Sequence, residues 1–235
     1  MKTAVITGVG SGIGKATCLH FLSQNWCVIG ILRNEEQLNR LNELALDLPG
    51  KLHLVKVDLA LEDFQKTVGL ELNKLKIQSI DALLNIAGLL NPQSFGDMRM
   101  DYLNKVMEIN FIAPVLLIQE LIPLLSNEEG GNVVNITSMS GFQGSVRFPG
   151  LSAYGASKAA LSSFSESIAI ELEEDNVIVN ALAIGSVNTN MLKKAFPDFH
   201  SSIEPHQMAE YIYSFANHGY RFYNGKTLAV AITNP

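Results

Sequence analysis

The sequence has few cysteines and no concentration of basic charge. Its 235 residues include only 2 cysteines, and neither a CxxC pair nor a histidine-rich spacing accompanies them. A disulfide framework and a metal site are therefore not expected. Charged residues make up 17% of the chain, the net charge is -6, and the basic residues cluster only at Lys193 and Lys194. Since binding to a nucleic-acid backbone requires a basic face, we expect no nucleic-acid partner.

Long hydrophobic runs and low-complexity tracts are also missing. The N-terminus enters a short apolar segment that ends at Gly8, without the longer apolar region and cleavage site of a signal peptide. The longest apolar region, 111–125, is interrupted by two prolines and two polar residues and is too short to span a bilayer. We therefore expect a cytoplasmic protein with no membrane partner, in which residues 111–125 form a buried helix.

The chain does contain ample material for a core. Hydrophobic residues make up 47% of it, and no linker rich in proline, serine or charge divides it. We therefore expect one domain over residues 1–235.

Short apolar runs alternate with longer helical stretches. The predicted strands cover residues 3–7, 27–32, 52–57, 80–85, 132–137, 177–183 and 227–232. The predicted helices cover residues 13–24, 35–46, 61–76, 101–125, 154–174 and 205–217. Strands that are apolar on both faces and alternate with helices are typical of a parallel sheet covered by helices on both sides. The pattern predicts a doubly wound α/β fold of the Rossmann type, although a flavodoxin-like strand order also satisfies it.

A glycine-rich loop follows the first predicted strand and precedes the first predicted helix. It reads Gly8-Val9-Gly10-Ser11-Gly12-Ile13-Gly14. Glycines allow a tight turn there and let backbone N–H groups approach a pyrophosphate, which then lies at the helix N-terminus. Glycines also occur in plain turns after strands, but this position between strand and helix favours a nucleotide site.

At this loop the sequence resembles the short-chain dehydrogenase/reductase family, whose loop reads TGxxxGxG, and the resemblance extends across nearly the whole chain. It implies the strand order 3-2-1-4-5-6-7. It also implies an NAD(P)-dependent oxidoreductase that moves hydride between a nicotinamide and a small carbonyl or alcohol substrate. Family members associate through the helices predicted at 101–125 and 154–174, which implies a homodimer or homotetramer.

The residues after the second predicted strand favour NADP over NAD. NAD-preferring family members usually carry an acidic residue there, which bonds the ribose hydroxyls and repels a 2′-phosphate. This sequence has Leu32 followed by Arg33. The alternatives are that Arg33 is only a solvated helix residue and, because Ser11 stands where many NADP-binding members carry a basic residue, that NAD is the cofactor.

Two further segments resemble the cofactor face of the family. Asp58 and Leu59 close the third predicted strand at the position that contacts adenine, although an aspartate there also suits a helix N-cap. The segment Asn85-Ile86-Ala87-Gly88 resembles the family's NNAG, with isoleucine in place of the second asparagine. The resemblance implies that the small Ala87 and Gly88 let the backbone lie against the adenosine half of the cofactor.

The segment after the sixth predicted strand, residues 184–189, resembles the family's PGxxxT with Ile184 in place of the proline. The resemblance implies that the backbone at Val187 and the hydroxyl of Thr189 hold the nicotinamide carboxamide. Residues 233–235 stand where the family commonly has a glycine-rich tail, so contacts from a tail are not expected.

The strongest indication of chemistry is the spacing of Tyr154 and Lys158. Four residues apart, the phenol and the ammonium lie on one face of a helix. Carbonyl reduction needs a proton donor beside the developing alkoxide, and a free tyrosine with a pKa near 10 holds its proton tightly. We therefore expect Lys158 to lower the pKa of Tyr154. The alternative is that this tyrosine and lysine lie on an ordinary helix surface without a function, because such a pair has the same spacing.

The context of this pair favours catalysis. Ser138 ends the fifth predicted strand in a segment that resembles the family's NxSSxxG, and Ser140 is the alternative serine. The resemblance implies that Tyr154 is the general acid or base, that Ser138 bonds the substrate oxygen, and that Lys158 bonds the nicotinamide ribose.

Asn110 is a further candidate because Pro114, four residues later, has no N–H to donate to its carbonyl. The resemblance implies a helix bulge at Asn110 whose carbonyl holds a water of the proton relay. A simple proline kink repaired by any water is the alternative.

Three loops are expected to overhang the carboxyl ends of the strands, at residues 89–99, 139–152 and 191–204. Their large apolar residues are Phe95, Met98, Phe142, Phe148, Leu192, Phe196 and Phe199. They favour an apolar substrate unless they pack on their own scaffold, and Arg147 and His200 are expected to be solvated. Two other function classes fit the sequence: a dinucleotide-binding sensor without turnover, and an epimerase or dehydratase that uses the same Tyr–Lys pair.

Overall fold

Seven parallel strands form one sheet in a computed structural model that describes residues 1–232. The strands are β1 (Thr3–Thr7), β2 (Cys27–Leu32), β3 (Lys51–Lys56), β4 (Ala82–Asn85), β5 (Gly131–Ser138), β6 (Val177–Ile184) and β7 (Lys226–Val230). Their order is 3-2-1-4-5-6-7, which confirms the Rossmann-type prediction and rules out a flavodoxin-like order. The expectation about a tail at 233–235 falls outside the described residues.

Eight helices among residues 1–232 cover the two faces of the sheet. They are α1 (Gly12–Ser23), α2 (Glu35–Ala45), α3 (Phe64–Lys74), α4 (Met100–Met107), α5 (Ala113–Leu125), α6 (Ser152–Glu171), α7 (Asn190–Ala195) and α8 (Pro205–Asn217). Alternate strand residues enter different cores: Ala4 and Ile6 pack with residues of α1 and α8, whereas Val5 packs with residues of α3, α5 and α6. This period of two explains why the strands are apolar on both faces.

The two cysteines enter different cores as well. Cys18 packs with the α1 and α8 side, and Cys27 packs with the opposite side. Both are free thiols, and burial raises the pKa of Cys18 to about 12. Cys18 therefore stays a protonated, inert thiol at neutral pH.

Three of the differences between the observed elements and the sequence predictions affect helices. α3 begins at Phe64 and not at 61, because Asp63 adopts a left-handed conformation with φ of 60° just before it. The helix predicted at 101–125 is divided by a π-helical segment, Glu108–Ile112. The loop predicted at 191–204 contains α7, whose N-cap Thr189 accepts a hydrogen bond from the Leu192 N–H at 3.2 Å.

The helical run Met100–Leu125 is the one helix among residues 1–232 that could cross a membrane by length and composition, with a mean hydropathy of 1.6. Within the fold, Leu117, Leu121 and Leu125 of this run are buried against the sheet. The core helix of a globular domain meets the same length and composition criteria. The position of these leucines agrees with the interpretation of residues 111–125 as a buried helix.

Candidate active site

A cavity of about 380 Å³, here called the glycine cleft, lies where β1 and β4 end. Its floor is the loop after β1. Gly8 has φ of 76°, and a Cβ on it would lie 2.9 Å from the Cα of Ala87. A Cβ on Gly14 would collide with the Gly8 carbonyl oxygen. The loop therefore requires glycine at these positions, because any side chain would meet neighbouring backbone.

The N-terminus of α1 opens into the glycine cleft. Its N-cap Ser11 makes no side-chain capping bond, and its first turn has no acidic residue. The N–H groups of the first turn therefore have no side-chain acceptor, and the helix dipole favours an anion there. Gly12, Ile13 and Gly14 all line the cleft. This arrangement fits the pyrophosphate of a dinucleotide.

One end of the glycine cleft is lined by Arg33, Asp58 and Leu59, which the sequence predicts to contact the adenosine half of a cofactor. The Arg33 Nη1 atom lies 3.7 Å from Asp58 Oδ2, and the two side chains are 63% and 38% exposed. The guanidinium is thus held at the mouth of the cleft by a weak surface ion pair, which leaves most of its donors facing solvent.

Gln37 also lines this end of the cleft, and sequence analysis missed it. Its carboxamide lies over Gly10, where a Cβ would collide with it. Asn34 caps α2 through a hydrogen bond from the Gln37 N–H at 3.0 Å, which fixes the first turn that carries Gln37. The only sequence signal was the position of Gln37 three residues after that cap. The path of its side chain back over the loop depends on how α2 packs.

A second cavity of about 160 Å³, here called the apolar pocket, adjoins the glycine cleft. Lys158 lines the glycine cleft, Ser138 lines the apolar pocket, and Tyr154 lines both. α6 supplies Tyr154 and Lys158 one turn apart, while Ser138 is the last residue of β5. The phenol therefore lies between the site that fits a dinucleotide and the pocket beside it.

The pKa values of Tyr154 and Lys158 depend mainly on burial. Burial raises the pKa of the Tyr154 phenol, and a hydrogen bond from the Ser138 side chain lowers it in part. Burial lowers the pKa of Lys158 to about 8, and its Nζ donates to the Ile136 carbonyl at 2.8 Å. The expectation that Lys158 lowers the pKa of Tyr154 is therefore wrong for this structure. Ser138 lowers it, because the ammonium is directed to a backbone carbonyl.

The low pKa of Lys158 makes stability depend on pH. In the unfolded chain this lysine titrates near 10.5, so between pH 8 and pH 10.5 the unfolded state binds a proton that the folded state has lost. Stability contributed by Lys158 then rises with pH across that window. Relative to Lys158→Met, which carries no such proton, we expect the wild type to gain up to about 3 kcal/mol in unfolding free energy between pH 7 and pH 10.5.

Urea unfolding of the two proteins at a series of pH values measures this difference. Lys194→Met, at an exposed lysine of α7, is the control. A difference between wild type and Lys158→Met that stays constant from pH 7 to pH 10.5 would show that the buried lysine keeps its ordinary pKa.

Asn110 lies in the π-helical segment and is fully buried, which agrees with the predicted bulge. Its side chain accepts from the Leu89 N–H at 2.7 Å and donates to the Leu89 carbonyl at 2.9 Å and to Ser157 Oγ at 3.0 Å. The Ser157 hydroxyl in turn donates to the Tyr154 carbonyl at 2.7 Å. Asn110 thus joins the start of the 89–99 loop to the helix that carries Tyr154, a role that the sequence did not reveal.

Asn85 is a predicted cofactor residue that lines neither cavity. It is buried, and its amide donates to Asn135 Oδ1 at 2.8 Å within the sheet. The reason is that Asn85 still belongs to β4, whereas Ala87 and Gly88 beyond the strand end line the glycine cleft.

The predicted nicotinamide residues after β6 differ in position. Val187 lines the apolar pocket and not the cleft, while Thr189 lines both.

Comparison with known families agrees with this geometry. Residues 2–199 match the family model described as short chain dehydrogenase. The chain belongs to this family. Its members are oxidoreductases that act on CH–OH and C=O groups.

Two relatives of this short-chain dehydrogenase illustrate the range of the similarity. Short chain dehydrogenase MYCFIDRAFT_6125 of Pseudocercospora fijiensis is 35% identical over 192 residues, which cover 81% of this chain and 61% of that protein. The 3-oxoacyl-[acyl-carrier-protein] reductase FabG of Thermotoga maritima is 33% identical over 193 residues, which cover 82% of this chain and 77% of that protein. The match thus spans about three fifths of the fungal protein's length.

Solved structures with the same fold hold nicotinamide cofactors. A 4-hydroxyisoleucine dehydrogenase complexed with NADH has a TM-score of 0.86 and 26% identity, and the match covers 98% of this chain and 97% of that one. A Beutenbergia cavernae protein described as an NAD(P)-dependent gluconate 5-dehydrogenase, with NADP bound at low occupancy, has a TM-score of 0.86 and 27% identity. That match covers 98% of this chain and 95% of the neighbour.

The loops of this short-chain dehydrogenase contribute unequally to the apolar pocket. Of the large apolar loop residues singled out in the sequence, Phe148, Leu192, Phe196 and Phe199 line it. Phe95 is 87% exposed and lies outside it, as do Met98 and Phe142.

Arg147 is not simply solvated as expected. Its guanidinium donates to the carbonyls of Met139, Ser140 and Phe142 at 3.3, 2.6 and 2.9 Å. It therefore fastens the loop that follows Ser138. Both Arg147 and His200 are exposed.

Proposed function

We propose that this short-chain dehydrogenase reduces carbonyl compounds, or oxidises the corresponding alcohols, with NADPH/NADP as the preferred cofactor and Tyr154 as the general acid and base. The observation that carries the proposal is the position of Tyr154, which lines both the glycine cleft and the apolar pocket. A proton donor there reaches a substrate oxygen from the pocket side while hydride transfer takes place on the cleft side.

The residues around the glycine cleft fit a dinucleotide along its whole length. We assign the following residues to cofactor binding: Gly8, Ser11, Gly12, Ile13 and Gly14 for the pyrophosphate, Arg33, Asp58, Leu59, Ala87 and Gly88 for the adenosine half, and Tyr154, Lys158, Val187 and Thr189 for the nicotinamide half. When bound, the nicotinamide supplies or accepts the hydride. The chain acts as one domain in this proposal, with substrate loops at 89–99, 139–152 and 191–204.

The chain's own groups handle the proton. The Tyr154 hydroxyl donates its proton to the carbonyl oxygen as negative charge develops there, and the Ser138 hydroxyl bonds the same oxygen. The Lys158 ammonium, one helical turn away, bonds the cofactor ribose and so holds the nicotinamide beside the phenol. The Asn110 carbonyl, which Pro114 cannot bond, holds the water through which the phenol recovers its proton.

Turnover distinguishes this proposal from a dinucleotide-binding sensor. Purified protein with NADPH is assayed against a panel of aldehydes and ketones by the loss of NADPH absorbance. Consumption that depends on the carbonyl compound supports the oxidoreductase, while tight NADPH binding without turnover on any member supports the sensor. Product analysis by mass excludes an epimerase or dehydratase, because reduction adds two hydrogens and neither of those reactions does.

Arg33→Ala is expected to weaken NADPH binding by about tenfold or more and to leave NADH binding nearly unchanged. Leu32 offers no carboxylate to the ribose hydroxyls, whereas the exposed guanidinium of Arg33 can form charge-assisted bonds with a 2′-phosphate. Fluorescence titration with both cofactors measures the effect, and Arg40→Ala, on the exposed side of α2, is the control. Equal affinities of the wild type for NADPH and NADH would reject the preference.

We expect a homodimer or homotetramer, because exposed apolar side chains remain on the helices that the family uses for association. Ile112 and Ile170 are 42% and 75% exposed. Light scattering at micromolar concentration measures the mass. Ile112→Glu should reduce it, while Leu44→Glu on α2 should not; a wild-type monomer would contradict the expectation.

A further inference from the structure

The apolar pocket beyond Tyr154 contains no ionised side chain. Its wall is built by large apolar residues, among them Met139, Phe148, Leu151, Leu192, Phe196 and Phe199. The polar groups that reach it are hydroxyls, of which Ser138 and Tyr154 lie at the reacting end. Within the described residues, no aspartate, glutamate, lysine, arginine or histidine lines it. A substrate in this pocket therefore meets hydrogen-bonding groups at one end and hydrocarbon elsewhere.

Charged side chains in and beside the overhanging loops are engaged by other protein groups. The Arg147 guanidinium donates to three backbone carbonyls, at Met139, Ser140 and Phe142. The Glu204 carboxylate accepts from Asn188 Nδ2 at 2.6 Å and takes part in the capping box of α8. Arg99 lies 3.7 Å from Asp101 at the start of α4. None of these side chains lines the pocket, so a carboxylate entering it would find no cation.

The remaining ionisable residues of the third loop face away from the pocket. Lys193, Lys194, Asp198 and His200 are exposed and line neither cavity. Their neighbours in sequence, Leu192 and Phe196, supply the pocket wall. α7 therefore turns its apolar side inward and its charged side to solvent.

The walls are also held in place. The Arg147 bonds fasten the loop after Ser138, and the rings of Phe148 and Phe196 meet edge to face with centroids 6.0 Å apart. Each ring comes from a different loop, so this contact joins two walls of the pocket. A dry apolar cavity of roughly 150 Å³ accommodates benzene. The apolar pocket, at about 160 Å³, has space for a group of that size.

From these observations we infer that the substrates are uncharged ketones or aldehydes, or the matching alcohols, whose carbonyl carries a compact apolar group about the size of a phenyl ring, and that the pocket rejects carboxylates. This inference rests on the proposed function. An anion that enters must lose its hydration without gaining an ionic partner, which is far more costly than the loss of one apolar contact.

An isosteric pair of substrates tests the inference. 1-Phenyl-1,2-propanedione and phenylglyoxylate have the same size and the same phenyl ketone, but the methyl group of the first is a carboxylate oxygen in the second. We expect kcat/KM with NADPH to be about a hundredfold or more higher for the neutral dione. Equal values, or a preference for phenylglyoxylate, would overturn the inference.

Two matched variants locate the effect in the pocket. Phe196→Arg places a cation in the wall and is expected to reduce the preference for the dione at least tenfold. Phe95→Arg makes the same change at a residue that is 87% exposed and outside the pocket, and should leave the preference unchanged. An equal effect of both variants would mean that discrimination arises from general surface charge and would overturn the inference.

Binding separates this inference from the proposed function. In the NADPH-loaded Tyr154→Phe variant, titration with the same pair is followed by quenching of NADPH fluorescence. At least tenfold tighter binding of the dione, even if the wild type reduces nothing, would support the pocket assignment while the proposed reaction fails. Equal or tighter binding of phenylglyoxylate would refute the pocket assignment whatever the turnover.

Discussion

Tyr154→Phe is expected to lower kcat for carbonyl reduction by about a hundredfold to ten-thousandfold, the range typical of general acid catalysis. The change removes only the phenolic oxygen, so the fold and the Lys158 side chain should stay as they are. NADPH affinity should change by less than about 1 kcal/mol. Steady-state kinetics on a proven substrate and cofactor titration measure the two effects on the same preparation.

The control for this variant is Tyr211→Phe, which removes a phenolic oxygen from the exposed side of α8. It should leave both kcat and NADPH affinity unchanged. Wild-type kcat in Tyr154→Phe would mean that another group supplies the proton. In that case the location of Tyr154 between the two cavities would have no catalytic significance.

Lys158→Met is expected to damage both the chemical step and cofactor binding. The ammonium is almost completely buried, at 3% exposure, and lines the glycine cleft, so the variant loses a charged donor that water cannot replace. Loss of a charge-assisted hydrogen bond typically costs about 1.5–3 kcal/mol, which corresponds to about a tenfold to hundredfold rise in the Kd for NADPH. The kcat should fall in addition, because the proposed ribose contact positions the nicotinamide for hydride transfer.

The comparison of Lys158→Met with Tyr154→Phe is the informative one. The phenylalanine variant should lose kcat alone, whereas the methionine variant should lose kcat and affinity together. Lys193→Met, at an exposed lysine of α7, controls for the loss of one positive charge. If NADPH binds Lys158→Met as tightly as the wild type, the ammonium does not contact the cofactor and the role proposed for Lys158 is wrong.

Local pattern was sufficient for most of the fold. β1, β2 and β4 are buried along their whole length, and such runs are typical of central parallel strands. The predicted elements were least accurate at their boundaries, where the backbone conformation of a single residue determines where a helix begins. The left-handed Asp63 delays α3, and the Thr189 cap starts α7 inside a segment predicted as a loop. Neither feature alters the apolar periodicity from which the helices were predicted.

The candidate site was predictable to the extent that it depends on spacing within one element. The four-residue separation of Tyr154 and Lys158 puts both on one face of α6, and Gly8 and Gly14 stand where a Cβ would meet backbone. Asn85 failed as a cleft residue because its place relative to the end of β4 depends on pairing with β5.

The sequence by itself determined the strands, the helices between them and the residue types at the strand ends, because each follows from the periodicity or the steric needs of a short segment. Only the tertiary structure decided what surrounds those residues. The Gln37 side chain reaches Gly10 and the Ile136 carbonyl accepts from Lys158, both through contacts between separate elements. The burial and the pKa of a side chain, and the charge of a pocket, depend on all such neighbours together. Residues far apart in the chain become neighbours only when the sheet order brings their elements together.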